Sequence, residues 1–95
     1  MQTHHIRFID NSYDLEIAEQ LLSRIISQKI AFLEDRIKET DPDDEDELNQ
    51  LKLRISDLNA ECRSLDLLIK EHDGEYVEME IGCTIVMSIK KIETT

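Results

Sequence analysis

Two groups of charged residues dominate the chemistry open to this chain. Glu39, Asp41, Asp43, Asp44, Glu45, Asp46 and Glu47 put seven acids into nine residues, the largest share of a formal charge of −11. Carboxylates this dense could hold a calcium ion, but the EF-hand spacing with its central Gly is absent and the second half of the run falls on a helix. The run is expected to hold no metal. It reads first as a capped helix start, with acids favouring the positive end of the helix dipole. Its functional reading is a patch of Asp41, Asp43, Asp44, Glu45, Asp46 and Glu47 that meets a protein with a basic surface. Attraction of this kind speeds association and weakens with salt.

The second group is basic and split between the two ends: His4, His5 and Arg7, then Lys90 and Lys91. If both segments are strands that pair antiparallel, these residues come near one another. They would then form a pocket for a small anionic ligand, such as a nucleotide, at a subunit junction. As ordinary surface they would simply balance Glu78 and Glu80 across a sheet. His4 and His5 are neighbours, so on a strand they face opposite sides and cannot grip one metal together. His72 fits the end of a helix, where a cation meets the negative terminus.

Little else points to catalysis. The chain has no GxSxG, no HExxH and no phosphate-cradling loop, and only two glycines. Paired carboxylates, Glu16 with Glu19 and Glu34 with Asp35, resemble the acidic helices of metal-dependent nucleotide pyrophosphatases. Here they fall opposite the apolar seams, where solvated charge normally sits. The expectation is a non-enzyme without a cofactor. Cys62 and Cys83 lack CxxC spacing and occupy apolar-face positions, so both are expected to be small buried hydrophobes in a reducing compartment.

Ninety-five residues make one domain. The acidity argues against direct binding to a nucleic-acid backbone. No apolar run approaches the roughly 20 residues of a membrane span, and no signal-type segment opens the chain, so a cytoplasmic location is expected.

The elements that carry these residues follow from periodicity and punctuation. Residues 2–9 read as a strand. Asp10-Asn11-Ser12 marks a helix start with Asn11 or Ser12 as cap and Asp14 in the first turn, opening a helix over about 12–39. An acidic turn over about 40–43 follows, with Asp41 as cap and Pro42 at the first helical position. The second helix spans about 43–72 and stops at Asp73-Gly74. Residues 75–92 read as a long strand with Val77, Met79, Ile81, Cys83, Ile85, Met87 and Ile89 on one side. Gly82 is a candidate bulge or bend, and a hairpin turn there is the alternative, although Ile81-Gly82 is a poor two-residue turn.

Helix two shows an unbroken seam of Leu48, Leu51, Ile55, Leu58, Cys62, Leu65 and Ile69. Helix one offers Leu15, Ala18, Leu22, Ile26, Ile30, Leu33 and Ile37, with one stutter. The short connection predicts an antiparallel coiled-coil hairpin. The fold class is therefore α+β: a strand–helix–helix–strand protomer with a long helical hairpin and a small antiparallel sheet. Apolar residues remain off the seams, and the short first strand leaves part of the long one unpaired, which natural proteins avoid. The protomer is thus expected to assemble as a homo-oligomer through Ile17, Leu21, Ile25, Phe32, Leu53, Leu67, Met79, Ile85 and Met87.

Three functions fit these expectations. The leading one is an acidic inhibitor, of the immunity or anti-defence type and at home in a phage or mobile element, that occupies a partner macromolecule. The alternatives are an oligomeric sponge or sensor for small anions, and a coiled-coil scaffold.

Overall fold

The computed structural model describes residues 2–92. Four elements follow one another: β1 (Gln2–Asp14), α1 (Leu15–Glu39), α2 (Glu45–Glu71) and β2 (Glu78–Ile89). They make an α+β unit in which two antiparallel strands join a pair of helices. No helix among the described residues is long and apolar enough to cross a membrane.

The helices begin later than their first cap signals. Asp14 caps α1, its Oδ1 accepting from the Ile17 amide at 2.8 Å. Asn11 and Ser12, the expected caps, lie in β1, where Asn11 Oδ1 accepts from the Ser12 amide instead. Their local preference for a helix start loses to the ladder with β2, which gives this stretch of backbone a partner strand. The same displacement recurs at α2. Asp44 rather than Asp41 is the cap, its Oδ1 accepting from the Glu47 amide at 3.3 Å. Asp41 closes the turn, accepting from the amides of Asp43 and Asp44, and Pro42 lies in that turn rather than in the helix. At the far end of α2, Gly74 takes φ +82°, the left-handed conformation expected of it.

The two seams face each other. All seven positions of the α2 seam are half-buried, and all seven of the α1 seam are buried or half-buried. The hairpin therefore uses the stripes that the spacing picks out.

The ribbon departs from expectation. β1 runs to Asp14 and pairs with the whole of β2, from Gln2 opposite Ile89 to Asp14 opposite Glu78. The long strand has a full-length partner in its own chain, so the open-ladder argument for a second subunit falls. Gly82 sits opposite Asp10 within one continuous strand. The irregularity lies in β1, where Phe8 has no partner between Arg7 and Ile9. That extra residue re-phases the alternation. As a result Gln2, His4, Ile6, Ile9, Asn11 and Tyr13 share one face with Ile89, Met87, Ile85, Cys83, Ile81 and Met79. This face has no Asp, Glu, Lys or Arg. The ionic residues of the ribbon, Arg7, Asp10, Asp14, Glu78 and Glu80, stand on the other.

The core is small. Among the described residues only Ile9, Ala18 and Leu33 are buried, and α2 contributes none of them. α1 packs against both strands, while α2 comes close to α1 alone. The molecule is a plate measuring 59 × 33 × 15 Å. Its radius of gyration of 17.5 Å far exceeds the about 12 Å of a compact domain of this length. Fifteen ångströms is close to a single layer of helix, whereas domains are normally built from at least two layers.

Candidate interaction surfaces

The acidic tip is the turn between the helices and the first turn of α2. Asp41, Asp43, Asp44, Glu45 and Asp46 are exposed there and Glu47 is half-buried. Asp41 and Asp44 are held by backbone hydrogen bonds, as is the neighbouring Thr40, whose hydroxyl donates to the Arg36 carbonyl at 2.6 Å. Arg36 lies 3.7 Å from Glu39. Among the described residues no Lys or Arg comes within ion-pair distance of the six tip acids. The like charges stay next to one another because each is solvated and because three of them lie in the first turn of a helix.

The basic residues are dispersed. β1 and β2 do pair antiparallel, but His4 stands on the uncharged face and His5 and Arg7 on the other. Arg7 lies 3.6 Å from Asp10, both largely solvated. Lys90 and Lys91 follow the end of β2, roughly 20 Å along the ribbon from the rung of Arg7 at about 3.3 Å per residue. Among the described residues, no group of three or more His, Cys, Asp or Glu side chains is gathered where it could hold a metal ion.

The off-seam apolar residues mostly face solvent. Ile17, Phe32, Leu53, Leu67, Ile85 and Met87 are exposed, while Leu21, Ile25 and Met79 are half-buried. Phe32 has the Lys29 ammonium 5.2 Å from its ring centroid, so part of it is already covered within the chain. Cys62 is half-buried in the α2 seam, but Cys83 is exposed, against the expectation of burial. It lies on the ribbon face it shares with Ile9, at the rung beyond which cover by α1 gives out. Exposure on that face rises toward the free end. Ile9 is buried and Tyr13, Met79 and Ile81 are half-buried near α1. Ile6, Ile85 and Met87 are exposed, and Ile89 is 70% exposed.

The whole chain presents 8136 Å² to solvent, where a compact monomer of its mass would present roughly 5,700 Å². The difference follows from the flat, extended shape of the molecule.

One feature had no clear signal in the sequence. Where α2 returns to β2, Leu15, Leu68, Ile69, His72, Val77, Glu78 and Met79 line a cleft of about 300 Å³. It opens beside a wider acidic recess that adds Asp14, Glu16, Glu19, Asp73, Glu75 and Tyr76. His72 belongs to both, with its Nδ1 2.8 Å from Glu75 Oε2. The hydrogen bond to Glu75, and then its charge, hold the imidazole pKa above its ordinary 6.5; desolvation opposes this, and the charge of Glu71 adds least. Acids on the rim over an apolar floor suit a side chain with an apolar stem and a cationic head, such as Lys or Arg. The signal was available only as Asp73-Gly74-Glu75, which marks a turn without showing what the turn packs beside.

No family model, curated protein or solved structure matches the chain.

Proposed function

We propose that the chain is a non-enzymatic, acidic, oligomeric binding protein whose leading role is to occupy a basic surface on a partner macromolecule. The observation that carries this reading is the hairpin tip. Among the described residues, six acids stand there with no Lys or Arg in ion-pair reach, at the end of a rod about 40 Å long by helix rise. The acidic recess at the other end of the hairpin gives a basic partner a second point of hold. Inhibition follows naturally from such a design, because masking a basic surface needs charge and shape rather than a reactive group.

The reading as a small-anion sponge rests on convergence of His4, His5, Arg7, Lys90 and Lys91. With His4 on the opposite face and Arg7 beside Asp10, it has the weaker support.

The test is capture of a partner from source cells at low salt, using the native chain and an Asp43→Asn, Glu45→Gln, Asp46→Asn variant. These three positions leave Asp41 and Asp44, which hold the turn and the cap, intact. A partner recovered by the native chain should associate with the variant on the order of tenfold more slowly, and the difference should shrink as salt rises. Equal association rates at low salt would end the proposal.

A further inference from the structure

We infer that the uncharged face of the β1–β2 ribbon is the contact with a second copy of this chain, the two copies meeting about a two-fold axis. The inference rests on the oligomeric part of the proposed function and gives it a location. α1 covers only the half of this face nearest to it. Ile6, Cys83, Ile85, Met87 and Ile89 are left in water. Two strands alone, without a third strand or a covering helix, are marginal in water. The outer half of the ribbon has neither.

Each copy carries roughly 2,400 Å² more surface than a compact chain of its mass, spread over helices and ribbon. The outer ribbon face is a part of that surface without ionic residues. Charge identifies the occupant. A chain of −11 is repelled by its own kind, and can approach itself at least cost through a face without ionic residues. The ribbon has one such face, because its ionic side chains are sorted to the other. A basic partner would gain nothing electrostatic from this face. A two-fold axis lets the same patch serve on both sides, and it adds the second layer that a 15 Å plate lacks.

Cys83 supplies a probe already in the chain. Sedimentation at micromolar concentration should give a species of twice 11.1 kDa. Cys83, located by peptide mapping so that Cys62 is scored separately, should react with a maleimide at least about tenfold more slowly in the native protein than in urea. Ile85→Asp should shift the protein to the single-chain mass and release Cys83. Val86→Asp, at an exposed position on the opposite face of the same ribbon, should leave both unchanged. A native protein that sediments as one chain overturns the inference and the oligomeric reading together. A dimer in which Cys83 reacts as fast as in urea overturns the inference alone. That second measurement uses the unaltered chain, so a variant that fails to fold does not decide the outcome.

Discussion

Ile6 and Ile9 stand on the same face of the ribbon although they are three positions apart, because Phe8 between them has no partner in β2. Strict alternation would have put them on opposite faces. Removing Phe8 should therefore be tolerated. Arg7 would still meet Thr84 and Ile9 would still meet Cys83, now in an unbroken ladder. The Phe8-deleted chain is expected to keep its cross-strand amide contacts by NMR and to lie within about 1 kcal/mol of the native stability. Loss of the contacts between residues 9–14 and β2 would contradict this account of the bulge.

The displaced helix start gives a second contrast. Asp14→Ala removes the acceptor for the Ile17 amide and should cost about 1 kcal/mol. Ser12→Ala, at a position that looks like a cap in the sequence but lies in the strand, should change stability by less than about 0.5 kcal/mol. Urea titrations of the two variants side by side decide the point. A larger loss for Ser12→Ala would place the cap where the local signal suggested.

Ala18 has no exposed surface, one turn into α1, which packs against both strands. A larger side chain has no room there. Ala18→Leu should cost about 1–3 kcal/mol through overpacking, read as a lower urea midpoint. An unchanged midpoint would mean that this end of α1 is not closely packed.

The His72–Glu75 pair makes a signed pH prediction. The folded-state pKa of His72 lies above 6.5, so the pair stabilises the fold in full below pH 6.5. Its contribution fades as pH rises through the folded value. NMR titration of His72 should give a midpoint above 6.5 that moves down in Glu75→Gln. In that variant, stability should also lose part of its fall between mildly acidic and mildly alkaline pH. A His72 midpoint insensitive to Glu75→Gln would refute the assignment.

The helical hairpin was legible because its stripes repeat over seven positions in each helix, and no local signal competes with a pattern of that length. Gly74 was legible because few other residues adopt its backbone conformation. The strand character of β2 was legible from its alternation, whereas its continuity through Gly82 came only from the register with β1. The extent of β1 was not. Asp10, Asn11 and Ser12 carry strong cap preferences, and what overrides them is a strand nearly 70 residues further along the chain. The bulge at Phe8 has no local signature at all, since it exists only relative to β2. For the candidate sites, the split of His4 from His5 follows from adjacency alone. The nearness of Arg7 to Asp10 and the recess around His72 depend on geometry that spacing does not encode. A surplus of apolar residues was visible beforehand. The sorting of the ribbon into one uncharged and one ionic face required the register.

Because the sheet joins two strands with both helices between them, with Gln2 opposite Ile89, β1 leaves the ribosome long before its partner is made. The helices, whose contacts are local, can close as soon as α2 emerges. The ribbon must wait until β2, which follows both helices, has emerged. During that interval β1 is an unpaired strand, and the three polar residues Asp10, Asn11 and Ser12 keep its second half hydrated until β2 arrives.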